Sequence, residues 1–290
     1  MRIGYLSTIY HTSHILKTKR VVIAEWRIFG TGMDIISSFQ SGKIDLAYVG
    51  LTPAIMGIVN GLDIVCIAGG HVEGTVIAGK AENGEKFPKN LEGKTVGVPS
   101  KGSIHDVILR SFSARADFEI VNYPWAEMIL DDFIEGKIDA VCGTPNLAVL
   151  AGKHGAKILG YPERLWPWNP SYGIVSRKKF IEENLEKITD FLIKHEWATN
   201  ILRESRDFAS TVLSEYLKNE IDSLTVREIL DFSPKYCSSL PEEYVESTLS
   251  LAKTMVRLGY ISRVPEPDEL FNTEIISEIH PQREHYTRTP

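Results

Sequence analysis

Residues 41–53 read Ser-Gly-Lys-Ile-Asp-Leu-Ala-Tyr-Val-Gly-Leu-Thr-Pro, and residues 135–145 read Glu-Gly-Lys-Ile-Asp-Ala-Val-Cys-Gly-Thr-Pro. The match runs upstream, where Ile35, Ile36 and Phe39 fall beside Ile129, Leu130 and Phe133 at the same offset. Each copy spells a short amphipathic helix, a glycine turn, a buried strand and a Thr-Pro that opens the next helix. A period of about ninety residues is far too long for a solenoid. It predicts two similar α/β lobes, and such a protein works in the cleft between them. Asp45 and Asp139 are tempting as paired carboxylates. Their matched places in the two copies argue instead for a structural role at the start of a strand.

Reading outward, strands are expected at 2–7, 20–29, 44–49 and 63–68, the last ending at Gly69-Gly70. Helices are expected at 12–19 and 33–41, with a further one opened by Pro53 at its first position. A strand at 74–79 leads to a polar excursion over 80–93, which carries Asn83-Gly84 and Pro88. The second copy then gives strands at 94–98, 118–123, 138–142 and 156–159, separated by helices at 103–114, 125–135 and one opened by Pro145. Strands alternating with helices of this length indicate parallel sheets built from βαβ units. Segment 171–176 reads as a strand returning to the first lobe. Helices at 178–204, 206–219, 225–231 and 241–258 follow and are expected to buttress the first lobe alone. The tail, 263–290, is rich in Pro, charge and His, and its end is expected to be poorly ordered. The division expected is 1–78 plus 173–290 for one lobe and 79–172 for the inserted second.

The 290 residues carry a net charge of −6, which argues against a nucleic-acid partner, since a phosphate backbone calls for basic patches. No run of about eighteen apolar residues is present to span a membrane. Met1 is followed at once by the strand-like Arg2-Ile-Gly-Tyr-Leu, so the sequence as it stands reads as cytoplasmic, or as extracytoplasmic if a leader has been removed. The three cysteines match no zinc spacing and read as buried or incidental thiols: Cys66 and Cys142 in strands, Cys237 in a loop.

The two copies together resemble the nitrate/sulfonate/taurine-type solute-binding proteins of ABC transporters. The first lobe carries Phe29-Gly30-Thr31-Gly32, Ile44-Asp45-Leu-Ala-Tyr-Val-Gly50 and Thr52-Pro53-Ala54. The second carries Leu91-Glu-Gly93-Lys94-Thr-Val-Gly-Val-Pro99, Ser100-Lys-Gly102-Ser103 and Gly136-Lys-Ile-Asp139-Ala140. The resemblance covers roughly residues 1–200. It implies an α/β, two-lobed type II periplasmic-binding-protein-like fold with two crossing strands, a small solute clamped in the cleft and an ABC transporter permease as partner. The same superfamily includes cytoplasmic enzymes, among them thiamine pyrimidine-precursor synthases and small chorismate-processing lyases. As the sequence stands, this chain is expected to depart from the transport pattern in lacking a leader, in a short stretch between its first two strands, and in a histidine-rich cleft.

In open α/β sheets a ligand sits outside the carboxyl ends of the strands. The residues expected there are Ser7, Thr8, Tyr10, His11 and His14, then Thr31 and Gly32, then Thr52, then His71 and Glu73. In the second lobe they are Ser100, Gly102, Ser103 and His105, then Trp125, Cys142 and Thr144. Ser100–Ser103 opens a helix whose free N–H groups can hold an anion; plain N-capping by Ser103 is compatible with that role. His11, His14, His71 and His105 are expected on loops facing one cleft, and His154, His195, His280 and His285 away from it. The four cleft histidines leave three uses open: a transition-metal site with Glu73, hydrogen bonds to an oxyanion, or acid–base chemistry near neutral pH. Trp125, Trp166, Trp168, Tyr10 and Tyr48 could wall the ligand or pack the core. Lys17 and Lys101 could in principle hold an aldehyde cofactor, but nothing around them marks them, and no cofactor is expected. Two functions therefore stand: a solute-binding protein for a small anion or heterocycle, and a cytoplasmic enzyme using cleft histidines with Cys142 assisting.

Overall fold

The computed structural model describes residues 1–80 and 86–287. The turn expected at Asn83-Gly84 and the last three residues of the tail lie outside the described residues. The ten strands among the described residues are β1 (Arg2–Leu6), β2 (Glu25–Phe29), β3 (Leu46–Val49), β4 (Ile64–Val72), β5 (Val76–Gly79), β6 (Thr95–Pro99), β7 (Glu119–Tyr123), β8 (Ala140–Gly143), β9 (Lys157–Gly160) and β10 (Pro170–Arg177). They form two five-stranded sheets, in the orders β2-β1-β3-β10-β4 and β7-β6-β8-β5-β9. In each sheet the first three strands run parallel, and the fourth position is filled by an antiparallel strand from the crossing connections, β10 in one and β5 in the other. The chain thus leaves the first sheet after β4 and returns to it in β10. This is the pair of α/β lobes that the repeat predicts, with the two crossing strands that the resemblance implies.

The repeated phrase has the same physical job in both sheets. Gly42 and Gly136 turn the chain at φ +69° and +74°, a left-handed conformation that glycine adopts without a Cβ penalty. Ile44 and Ile138 then reach to the neighbouring strand, β1 or β6. A Cβ on Gly4 would lie 3.1 Å from Ile44 Cδ1, and one on Gly97 2.5 Å from Ile138 Cδ1. The Asp45 carboxylate accepts the Arg2 backbone N–H at 2.8 Å, and the Asp139 carboxylate accepts that of Thr95 at 3.0 Å. Each aspartate ties the start of β3 or β8 to the start of the neighbouring strand, so the structural reading of the pair holds. Asp45 also takes Arg2 Nε at 3.1 Å and pairs with Arg2 Nη2.

Several element ends move from where the sequence put them. β4 does not stop at Gly69-Gly70 but runs on to Val72. These glycines mark close approach rather than a strand end: a Cβ on Gly69 would lie 2.1 Å from the Tyr286 hydroxyl, and one on Gly70 2.1 Å from the Tyr172 ring. The helix expected to start at Pro53 starts at Leu51, with Gly50 as its N-cap and Pro53 in its third position. The long helix expected over 178–204 is broken at Asn184 into Lys178–Glu183 and Leu185–Glu204.

The C-terminal helices do not serve the first lobe alone. Leu185–Glu204 and Arg206–Tyr216 pack on the helix Thr12–Thr18, but Ser223–Phe232 packs on Pro145–Lys153 of the second lobe. Glu242–Arg257 lies against both Leu51–Val59 and Ile104–Arg110, and its Met255 shares one core with Ile55, Val98 and Ile108. Beyond residue 263, Phe271 and Tyr286 are buried, and Tyr286 sits against Tyr244 and Trp168.

Candidate functional site

The helices that follow the parallel strands aim their N-termini at one place. His11, Thr31 and Gly50 cap helices after β1, β2 and β3, and Ser103, Trp125 and Thr144 cap helices after β6, β7 and β8. Between the two sets lies a cavity of about 90 Å³. Larger depressions exist on the surface, one of about 1010 Å³ near Arg203 and Arg227, but they are open and charge-lined. The inter-sheet cavity lies where the carboxyl ends of both sheets converge, the position where open α/β sheets bind ligands.

Ten of the expected site residues line this cavity: Ser7, Thr8, Tyr10, His11, Thr31, Gly32, Ser100, Ser103, His105 and Thr144. The other seven do not, and each has a structural reason. His14 sits one turn inside its helix, buried between Tyr5 and Tyr216, with Nε2 2.8 Å from the Thr8 carbonyl oxygen. Because β4 extends, His71 lies inside the strand, with Nδ1 2.8 Å from Ser171 Oγ and Nε2 2.6 Å from the Ser233 carbonyl oxygen. Glu73, at φ +59°, accepts the Trp168 backbone N–H at 3.1 Å and pairs with Lys235 at 2.5 Å. Thr52 is buried at the second position of its helix. Gly102 gives its N–H to the Asp106 carboxylate at 2.9 Å. The Cys142 thiol is buried 3.7 Å from the His105 carbonyl oxygen, and burial pushes its pKa up. Trp125 lies across the mouth against the other lobe; a Cβ on Gly30 would come within 2.9 Å of its ring.

Trp166 and Trp168 also stay out of the lining. Trp166 Nε1 donates to Ser247 Oγ at 3.1 Å, and Trp168 packs edge-on against Tyr286. Tyr48 is a core group whose hydroxyl accepts from Thr12 at 3.0 Å. Lys17 donates to the Tyr5 hydroxyl at 2.6 Å. The sequence reading did not pick out Asn146 or Ser171, which line the cavity. Asn146 stands two residues past Thr144, and the two side chains are hydrogen-bonded. Ser171 is the second residue of the returning strand and links buried His71 to the cavity wall.

Among the described residues, the lining contains no Lys, Arg, Asp or Glu, and burial favours the neutral form of its two histidines. Burial, reinforced by His14, His71 and His195, holds the His11 imidazole well below its usual pKa. Burial alone brings His105 down to about 4, and its Nδ1 lies 3.0 Å from Thr75 Oγ1. Among the described residues, His11, His14, His71 and Glu73 form no metal-ligand cluster. Positive potential in the cavity therefore comes from backbone N–H groups at helix ends.

Those ends are not equivalent. The Thr31 end is closed by its own capping box, with Thr31 Oγ1 accepting the Asp34 N–H at 3.1 Å and Asp34 reaching back to the Thr31 N–H at 3.2 Å. Ser103 Oγ accepts the Asp106 N–H at 3.2 Å. The His11, Gly50, Trp125 and Thr144 ends have no side-chain cap. Two of these open ends, at Gly50 and Thr144, are the Gly-Leu-Thr-Pro and Gly-Thr-Pro of the repeated phrase, one from each lobe.

The fold is that of ABC-type solute-binding proteins. The Escherichia coli periplasmic aliphatic sulphonate-binding protein SsuA superposes with a TM-score of 0.79 at 18% identity, over 94% of this chain and 92% of that one. The ligand-binding component of an ABC-type import system from Staphylococcus aureus gives 0.79 at 17% identity, over 96% and 98%. The periplasmic nitrate-binding protein NrtA from Synechocystis PCC 6803 gives 0.76 at 14% identity, over 97% and 88%. No curated protein sequence matches the chain. The sequence model of the NMT1/THI5-like family matches residues 28–204, which hold the whole second sheet and β3, β4 and β10 of the first, and the chain belongs to that family.

Proposed function

We propose that this protein is a solute-binding protein that captures a small anion, or a small heterocycle with an acceptor edge, in the cavity between its sheets. The observation that carries this reading is that three helix ends without a side-chain cap, at His11, Gly50 and Thr144, face a cavity lined by no charged side chain among the described residues. Unsatisfied N–H groups and the positive ends of helix dipoles favour an anion without a bulky counter-ion in the site. The hydroxyls of Ser7, Thr8, Ser103 and Thr144 and the neutral imidazoles of His11 and His105 add directional hydrogen bonds. The sulphonate- and nitrate-binding proteins that share the fold support an anionic guest.

Residues 1–78 with 173–290 would move as one lobe and 79–172 as the other, pivoting near 74–80 and 171–176. Capture would be hinge closure, with Trp125 meeting Gly30 and Ser7 meeting Glu127 at the mouth. Delivery to an ABC transporter permease, outside the cytoplasm, follows from this reading. No helix among the described residues is long and apolar enough to cross a membrane. The enzyme alternative is the weaker one. Its cavity histidines are held neutral at low pKa, which makes them poor bases, and the Cys142 thiol is buried and hard to ionise.

The test is a thermal-shift screen with nitrate, taurine, short alkanesulfonates, small carboxylates and pyrimidines. A ligand that binds only the folded state raises Tm by mass action. An anion or pyrimidine that stabilises the wild type and loses its effect in Thr144→Ala supports the reading. A panel in which nothing stabilises the protein, or an effect untouched in Thr144→Ala and Ser103→Ala, overturns it.

A further inference from the structure

Away from the cavity, three metal-ligating side chains from distant parts of the chain meet. Cys237 lies in the loop after the helix Ser223–Phe232, and His280 and His285 lie in the C-terminal segment. Their ligand atoms all fall within 4.8 Å of one another. Cys237 Sγ is 3.6 Å from His280 Nε2 and 4.0 Å from His285 Nδ1. A tetrahedral zinc-class ion, with sulfur at about 2.3 Å and nitrogen at about 2.0–2.1 Å, separates its sulfur and nitrogen ligands by about 3.6 Å. The three groups therefore stand almost where such an ion would hold them.

The surroundings are built to match. His280 Nδ1 is 3.0 Å from the Glu196 carboxylate, which orients the ring and leaves Nε2 toward the sulfur. A carboxylate behind a histidine is the usual outer partner of a metal-bound imidazole. The His285 backbone N–H donates to Cys237 Sγ at 3.3 Å, and Ser239 Oγ lies 3.0 Å from it, an arrangement suited to a thiolate. Cys237 and His280 are buried while His285 is half-exposed, so the cluster has a closed floor and one accessible side.

We propose that Cys237, His280 and His285 bind one divalent transition-metal ion of the zinc class, with Glu196 as positioning residue and water in the fourth position. The chemistry of the donor set, one thiolate and two imidazoles, selects zinc-like over magnesium- or calcium-like ions. The ion would clip the C-terminal segment onto the 233–240 loop and the helix Leu185–Glu204. Tyr286 already fastens the same segment, its hydroxyl 2.6 Å from the Cys237 carbonyl oxygen. This site is independent of the cavity and of any solute bound there.

The test uses tag-free full-length protein, stripped with chelator and titrated with Co²⁺ and then Zn²⁺. The expected result is one equivalent of Co²⁺ bound with a thiolate-to-cobalt charge-transfer absorption, displaced by Zn²⁺. Cys237→Ser loses the absorption. Glu196→Gln keeps it and weakens the apparent affinity by about 10–100-fold. Circular dichroism confirms folding, and if Cys237→Ser does not fold, His285→Gln on the half-exposed ligand replaces it and must weaken binding. No stoichiometric Co²⁺ binding by the folded wild type, a charge-transfer band that survives Cys237→Ser, or unchanged affinity in His285→Gln would overturn the proposal.

Discussion

Closure of the cavity mouth offers a test that needs only one methyl group. A Cβ built on Gly30 falls 2.9 Å from two carbons of the Trp125 ring and 3.1 Å from a third, against about 3.5–4.0 Å for an ordinary carbon contact. Gly30→Ala must therefore push Trp125 away by a large fraction of an ångström or hold the lobes apart. Gly30 is not among the positive-φ glycines, so the backbone itself accepts alanine. Overpacking of a tight contact costs about 1–3 kcal/mol. Trp125 is 42% exposed and can swing outward, which places the cost in the lower half of that range, about 1–2 kcal/mol. If binding requires the closed arrangement, that cost appears in affinity, as a Kd about 5- to 30-fold weaker. Isothermal titration with the anion that most stabilises the wild type measures it. Trp125→Ala in the Gly30→Ala background should remove the clash, so the double variant should be non-additive in a mutant cycle. Wild-type affinity in Gly30→Ala, or additive effects in the cycle, would refute the idea that this contact closes over the guest.

His71→Ala should destabilise the protein by about 2–5 kcal/mol in urea unfolding, because it empties a buried site and leaves the Ser233 carbonyl oxygen without its imidazole partner; a loss under about 1 kcal/mol contradicts this. Asp45→Ala should cost more stability than Asp139→Ala, by about 1–2 kcal/mol, since Asp45 also carries Arg2; equal costs would show that the extra ion pair contributes nothing. Burial holds His14, His71, His105 and His195 at about 4, well below their ordinary value. The unfolded chain therefore binds protons first as pH falls below about 6.5, and stability drops by roughly 1.4 kcal/mol per histidine per pH unit down to about pH 4, where the loss levels off. Urea midpoints that stay flat between about pH 7 and pH 5 would show that these imidazoles are not held neutral.

The parts of the site that were legible in sequence are those that follow parallel strands. Ser7, Thr31, Ser103 and Thr144 stand at strand-to-helix turns, and local chemistry fixes such turns: a glycine, a hydroxyl cap or a proline in the first turn marks where each helix begins. The residues displaced from expectation are those whose position depends on something far away in sequence. Gly69-Gly70 looked like a strand end, yet Tyr172 and Tyr286 press on them and the strand continues, which carries His71 away from the cavity. Cys237, His280 and His285 had no motif spacing at all, because 43 and 48 residues separate the cysteine from its partners.

The sequence alone determined the duplicated α/β plan. Gly-Lys-Ile-Asp requires the same turn, the same buried isoleucine and the same strand-start carboxylate wherever it occurs, and those are interactions over short distances or with one neighbouring strand. Only the tertiary structure decided which polar residues face the guest. Strand extension, the docking of the 223–257 helices on both lobes and the folding back of the C-terminal segment are settled by long-range packing. In a close-packed interior, a shift of a single residue turns a side chain from the cavity into the core.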